Sequence, residues 1–248
     1  MRRAWLPVRA ALRWALCGFY FFTVSPLLVL LGMAIDPRKN DWPQRWLCRT
    51  VLRLAGAKFE VRREPGFDPR RTCLFVSNHV NIFDAFVSYS AIPQFVRGLE
   101  LESHFRIPAY GWMARRFGNI PVHKNSTPAQ TKELYRRTKR ALEDGVSLVV
   151  FPEGGRTRDG HVGVFRPGAF RMAIQFGYPI VPMAIAGSFE FNRKGSWMLY
   201  PAKIVVHLHA PIQTKGLSKA DMGALRDRVR QIISGSLEAS IVPAHDER

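Results

Sequence analysis

The sequence is short of cysteine, of acidic residues and of several familiar motifs, and each shortage excludes something. Cysteine occurs only at Cys17, Cys48 and Cys73, widely spaced and without a C-x-x-C pair. That excludes a disulfide framework and a thiolate zinc site and suits a reducing compartment. Acidic residues number 19 against 37 lysines and arginines, a formal net charge of +18. Such an imbalance points to anionic partners: nucleic acid, a negatively charged membrane face or acidic substrates. There is no G-x-x-x-x-G-K-[ST], no G-x-G-x-x-G, no G-x-S-x-G and no H-E-x-x-H. Walker-type and dinucleotide-binding loops and a serine-nucleophile elbow are therefore lacking, and His104, His161, His207 and His209 have no ligand spacing that implies a metal. No internal repeat, low-complexity tract or long linker breaks the chain.

What is present begins with apolar matter: 47% of 248 residues are hydrophobic, enough for a sizeable core. From Trp14 to Ile35, 22 residues carry no charge, with Arg2, Arg3, Arg9 and Arg13 ahead of them. The run meets the length of about 20 residues needed to cross a bilayer. It ends in Met-Ala-Ile-Asp-Pro rather than at an A-x-A-like cleavage site, so it reads as a retained membrane segment. Pro26 in its middle implies a kink, or two half-spans in one leaflet. Spanning and monotopic arrangements both fit, with a buried core helix as the bland alternative.

Residues 41–55 read as a second helix, with Asp41 as cap, Pro43 in the first turn and Gly56 past the end. Arg45, Arg49 and Arg53 recur every four residues opposite Leu47, Val51 and Leu54, with Trp42 and Trp46 at one end. This is the pattern of a helix on anionic lipid, or of an ordinary surface helix packed on its domain. Residues 1–63 hold twelve basic and three acidic residues, half of the whole excess charge.

After residue 57, short apolar runs at 57–62, 72–77, 95–99, 119–122, 147–151, 180–186 and 203–208 alternate with helical stretches. Thr127-Pro128 opens one helix that Gly145 closes, and Ser218-x-x-Asp221 is a capping box for a long C-terminal one. The alternation predicts an α/β fold, a mixed, largely parallel seven-stranded sheet covered by helices, with an N-terminal membrane-associated helical segment. The charged tail after Ile241 is expected to be loose.

Chemistry gathers at the ends of buried strands. Ser77-Asn78-His79-Val80-Asn81-Ile82-Phe83-Asp84 follows the run at 72–77. His79 and Asp84 are five residues apart, so they meet only if a turn lets Asp84 fold back. If they meet, the carboxylate fixes the imidazole tautomer for general-base work. Otherwise His79 and Asn78 bond the turn and Asp84 caps the next helix. Phe151-Pro152-Glu153-Gly154-Gly155-Arg156-Thr157-Arg158 follows another buried run. Its glycines let backbone N–H groups approach an anion and its arginines suit phosphate, while a plain tight turn with solvated arginines is the alternative. Gly118-Asn119-Ile120-Pro121-Val122-His123-Lys124 and Val181-Pro182-Met183-Ala184-Ile185-Ala186-Gly187-Ser188 share this placement, with Lys124 a candidate to neutralise an anionic head group.

Taken in order over residues 72–188, these blocks resemble the glycerolipid acyltransferases, in particular the 1-acylglycerol-3-phosphate acyltransferases that make phosphatidic acid from lysophosphatidic acid. N-H-x-x-x-x-D is Asn78-His79 to Asp84, F-P-E-G-T-R-S is Phe151 to Thr157, and V-P-x-x-I is Val181-Pro182 with Ile185. The resemblance implies a single-step transfer in which His79, oriented by Asp84, takes a proton from the acceptor hydroxyl as it attacks a fatty acyl thioester. It places Asn78, Lys124, Glu153, Gly154, Gly155, Arg156 and Thr157 in substrate binding, with Arg156 on the phosphate. It calls for no cofactor or metal; acyl-CoA or acyl carrier protein serves as co-substrate, and a basic surface steers either. Gly155 and Thr157 stand where the family commonly has threonine and serine. His123-Lys124 stands where an arginine usually closes the block, which loses the planar fork and opens the acceptor to other lysolipids.

On this reading residues 1–56 form a membrane anchor with its basic helix and 57–248 the catalytic domain, on the cytosolic face, with membrane lipid as partner and no nucleic acid. A nucleic-acid binder or H-N-H-like nuclease and a non-catalytic lipid-binding protein are the competing classes. The first lacks a second histidine at metal spacing, and the second would be expected to have lost His79 or Asp84.

Overall fold

The computed structural model describes residues 5–241; Arg2, Arg3 and the charged tail after Ile241 lie outside the described residues. Seven strands form one sheet: β1 (Lys58–Arg63), β2 (Leu74–Ser77), β3 (Val96–Leu101), β4 (Ile120–Val122), β5 (Ser147–Val150), β6 (Ile180–Ala186) and β7 (Lys203–Leu208). Their order is β1-β7-β6-β2-β5-β3-β4. From β6 to β4 the strands are parallel, whereas β7 is antiparallel to β6 and pairs in parallel with β1. The expected α/β class, the mixed sheet and its seven strands are all present. β2, β5 and β6 are buried at every residue, as apolar strands covered on both faces must be.

The helices are α1 (Leu6–Ala34), α2 (Trp42–Ala55), α3 (Asp84–Ala91), α4 (Tyr110–Arg116), α5 (Pro128–Glu143), α6 (Gly168–Phe176), α7 (Ser188–Phe191) and α8 (Met222–Ile241). One core joins α1 to α4 to one face of the sheet, through Phe21, Leu47, Leu52 and Val87 against Phe75, Met183 and Val206. The other joins α5, α6 and α8 to the opposite face, through Leu142, Phe170 and Val229 against Leu74, Leu148 and Ile180. The Thr127 cap has its full reciprocal box with Gln130, and the Ser218–Asp221 box opens a short 3₁₀ turn that runs into α8.

At two strand starts a competing hydrogen bond moves the boundary from the expected residue. Ala57 N–H closes α2 on the Leu52 carbonyl at 3.0 Å, so β1 starts one residue later. Cys73 N–H donates to Ser147 Oγ at 3.2 Å instead of entering the ladder. Pro26 does not split the apolar run: α1 is a single 29-residue helix with the proline inside it, about 44 Å long at 1.5 Å per residue. Among the described residues it is the one helix long and apolar enough to cross a membrane. Its buried residues, Ala10, Cys17, Phe21, Ser25, Leu28 and Gly32, recur at helical spacing and pack on the domain. The opposite side exposes Leu12, Phe19, Phe22, Leu27, Leu30 and Met33.

The arginines of α2 also find a use that periodicity did not suggest. Arg45 donates to the carbonyls of Ile92 and Gln94, and Arg49 to that of Ser90, so they satisfy backbone acceptors left over at and beyond the end of α3. Trp42 and Trp46 remain exposed, at 63% and 50%.

Candidate active site

Three parallel strands end side by side, and the loops leaving them build one site: Asn78–Phe83 after β2, Phe151–Arg158 after β5 and Gly187–Ser188 after β6. Asp84 is the first residue of α3 and its side chain is fully buried. The Nδ1–H of His79 donates to Asp84 Oδ2 at 2.9 Å, and the N–H groups of Val80 and Asn81 reach the same oxygen at 2.7 and 2.8 Å. The Ser188 hydroxyl donates to Oδ1 at 2.7 Å. A carboxylate this well supplied with donors is held as an acceptor and fixes the histidine tautomer. Of the two alternatives left open by a spacing of five, the structure has the first: the turn folds Asp84 back onto the imidazole, while α3 has no side-chain cap and the Asn78 amide bonds Ile185 instead of the turn.

The ring of His79 stacks on Phe151 at 4.4 Å between centroids, which fixes its plane. Its side chain is 24% exposed, and Nε2 has no hydrogen-bond partner among the described residues. With Nδ1 committed to Asp84, Nε2 is the nitrogen free to take a proton.

Glu153 joins the first two loops. Its Oε1 accepts the N–H of His79 at 2.8 Å and its Oε2 that of Gly163 at 3.1 Å, while Thr157 N–H donates to the His79 carbonyl at 2.9 Å. Burial pushes the Glu153 carboxyl above its ordinary pKa, against the pull of those two N–H donors. Gly154 has φ +71°, and a Cβ there would come within 2.7 Å of Arg166 Nε. Gly155, by contrast, has no positive φ and nothing within 4 Å of an added Cβ. The carbonyl of Arg156 accepts from Lys194 Nζ at 2.7 Å, so Arg156, Arg166 and Lys194 gather cations around the glycine turn.

Not every anticipated residue faces this space. Asn78 is 1% exposed, and its amide spans the backbone of Ile185, donating to the carbonyl at 3.1 Å and accepting the N–H at 2.9 Å. It welds β2 to β6 rather than meeting solvent. The Thr157 hydroxyl is buried without a partner. Lys124 is exposed just past the end of β4, on the same edge of the sheet but three strands from β2, about 14 Å at the usual strand spacing. Ser188, Arg166 and Lys194 were not assigned to the site from sequence, and only the position of Ser188 at a strand end hinted at its use.

A second constellation, Glu64–His209–Ser236, has hydrogen bonds of 2.7 and 2.9 Å. Ser236 lies inside α8 and also donates to the Ile232 carbonyl, where backbone N–H groups are already in the helical ladder. The set ties α8 to β7 and leaves no donors for an oxyanion. Among the described residues no group of three or more His, Cys, Asp or Glu is placed to hold a metal ion.

The chain has recognisable relatives among known proteins. The family model described as Acyltransferase matches residues 43–186. The chain is 32% identical over 166 residues, 66% of its length, to a chloroplastic 1-acyl-sn-glycerol-3-phosphate acyltransferase of Brassica napus. It spans 46% of that plant protein's length, about half. It is 26% identical to the Pseudomonas aeruginosa protein of the same name, covering 94% of this chain and 88% of that one. The crystal structure of the 1-acyl-sn-glycerophosphate (LPA) acyltransferase from Thermotoga maritima superposes with a TM-score of 0.80 at 20% identity, covering both chains completely, which shows the shared fold.

Proposed function

The chain belongs to the acyltransferase family, and on that footing we propose that it moves a fatty acyl group from an acyl thioester to the free hydroxyl of 1-acylglycerol-3-phosphate, giving phosphatidic acid. The observation that carries this reading is the His79–Asp84 pair, held at 2.9 Å with the other imidazole nitrogen free. Nε2 of His79 removes the acceptor's hydroxyl proton as the oxygen attacks the thioester carbonyl. The C–O bond forms and the C–S bond breaks, and the departing thiolate takes the proton back from the imidazolium. Asp84 stabilises the imidazolium between the two events, so no acyl-enzyme is needed. The turn at Gly154-Gly155-Arg156, with Arg166 and Lys194 beside it, supplies N–H groups and cations for the acceptor phosphate. Coenzyme A or acyl carrier protein carries the acyl group, and a surface at +18 steers either acidic donor.

The same reading places the exposed apolar side of α1, with Trp42 and Trp46, in the membrane. Because one stripe of α1 is packed on the domain along its length, the helix lies in one leaflet instead of crossing, with the catalytic domain on the cytosolic face. The test is transfer of labelled acyl-CoA to lysophosphatidic acid by the purified protein. His79→Ala is expected to lose about 10²–10⁴-fold in kcat, and retention of the wild-type rate overturns the mechanism.

A further inference from the structure

Away from His79, a cleft opens where the sheet edge is incomplete. β4 pairs only with Leu99–Leu101, so Val96–Gly98 of β3 have no strand on that side. The notch is walled by the end of α1, the end of α4 and the C-terminal half of α5, and has a volume of about 1040 Å³. Seven arginines line it against three carboxylates. Arg38 is paired with Asp36, and Arg136 and Arg137 with Glu133. Arg97, Arg115, Arg116 and Arg140 have no ion pair among the described residues. Arg97 is the most exacting of them: its Nε is shielded from water and has no hydrogen-bond partner. Burial, then the neighbouring Arg38 charge, pulls its pKa below the ordinary value. The Asp144 and Asp36 carboxylates pull the other way without bonding it, and a half-buried guanidinium that no carboxylate reaches is costly unless an anion completes it.

The position of the cleft suggests how that anion arrives. Arg97 pairs with Leu148, which pairs with Leu74, so the cleft sits toward the starts of the parallel strands, the opposite end from His79. α1 joins the two places. Its Trp14 donates to the Trp197 carbonyl and packs on Phe83 beside the candidate active site. Its Gly32, eighteen residues on, or about 27 Å, lies against the Arg116 stem. Exposed Met33 at the end of α1 and Ile35 just past it line the cleft with the arginines, and exposed Trp112 lies one turn before Arg115 and Arg116 on α4. Apolar and aromatic side chains beside guanidinium groups are the composition of a membrane-water boundary, where lipid phosphates lie.

We propose that this cleft is a second phosphate site, separate from the acceptor site, that holds the phosphate head group of an anionic phospholipid in the same leaflet as α1. The inference rests on the membrane placement of α1 given above but not on catalysis by His79. Arg97 closes on the phosphate from the floor of the notch, Arg140 from α5 and Arg115 from α4. Occupation also fixes the end of α1 through Arg116, so that both ends of the helix are tied to the bilayer surface.

Co-sedimentation with vesicles tests it, using pure phosphatidylcholine against phosphatidylcholine containing about one-fifth phosphatidylglycerol, at about 0.15 M salt. The full chain is expected to prefer the anionic vesicles. Arg97→Gln and Arg140→Gln are each expected to weaken that preference about 5-fold, and together about 20-fold. Arg97→Lys is expected to stay within about 2-fold of wild type, as is Arg228→Gln, a control on the exposed side of α8. His79→Ala should bind like wild type, which separates failure of this site from failure of the catalytic reading. Thermal melts of each variant check that the fold is kept. Arg140 is exposed, so its variant remains informative if Arg97→Gln does not fold. The proposal is overturned if the double variant binds anionic vesicles as tightly as wild type, if Arg228→Gln loses as much, or if 3′,5′-ADP or inorganic phosphate displaces the vesicles.

Discussion

The main-chain N–H of His79 donates to Oε1 of Glu153 at 2.8 Å, so the loop carrying the proposed base and the loop carrying the glycine-arginine turn are set relative to each other by one carboxylate. Neither loop has its working shape without the other. That explains why residues 74 positions apart act as one unit.

Asp84→Asn places an amide N–H₂ among four donors. We expect kcat to fall about 10²–10⁴-fold and stability by about 3 kcal/mol, read by steady-state kinetics and denaturant melts. Ser188→Ala removes one donor to the same carboxylate and should cost about 1 kcal/mol with a smaller fall in kcat.

Asn78→Ala separates a structural role from a binding one. Since both ends of the amide hold Ile185, the variant should lose about 2–3 kcal/mol of stability with little change in KM for the lysolipid. A large rise in KM in a protein of unchanged melting temperature would return Asn78 to the substrate.

How far this site could be read in advance depended on range. The strand run at 180–186 was legible to the residue because a strand buried on both faces is a continuous apolar segment, and that at 203–208 because buried Ile204, Val206 and Leu208 alternate with less buried residues. The meeting of His79 and Asp84 was only conditional, since it requires a tight turn whose N–H groups converge on the carboxylate. The bond from Ser188, 104 residues away, leaves no local trace. Likewise, α2's arginines had the periodicity of a lipid-facing stripe, but the carbonyls they satisfy beyond α3 belong to a partner element that no periodicity reveals.

The pH dependence of stability follows from Glu153, whose pKa is raised chiefly by burial. For a group raised in the fold, its stabilising contribution is complete below the unfolded value of 4.5. It is lost as pH rises through the folded value. Thermal melts from pH 4 to 7 should therefore show wild type losing stability relative to Glu153→Gln as pH increases. A constant difference, or one of opposite slope, would contradict the burial argument.

The two adjacent glycines should respond differently. Gly154→Ala puts a Cβ at φ +71° and against Arg166, with an expected cost of about 1–2 kcal/mol and weaker use of the acceptor phosphate. Gly155→Thr meets open space and is expected to fold and turn over near the wild-type rate, as differential scanning fluorimetry and the transfer assay would establish.

The contact of Trp14 with Phe83, one residue before Asp84, brings the apolar helix up to the proposed active site. On the proposed function, lipid substrate and product exchange sideways, in two dimensions, with their tails never crossing water. Throughput under such an arrangement is governed by the mole fraction of lysolipid in the surrounding film, and adding inert lipid slows the enzyme even when the total amount of substrate in the tube is unchanged.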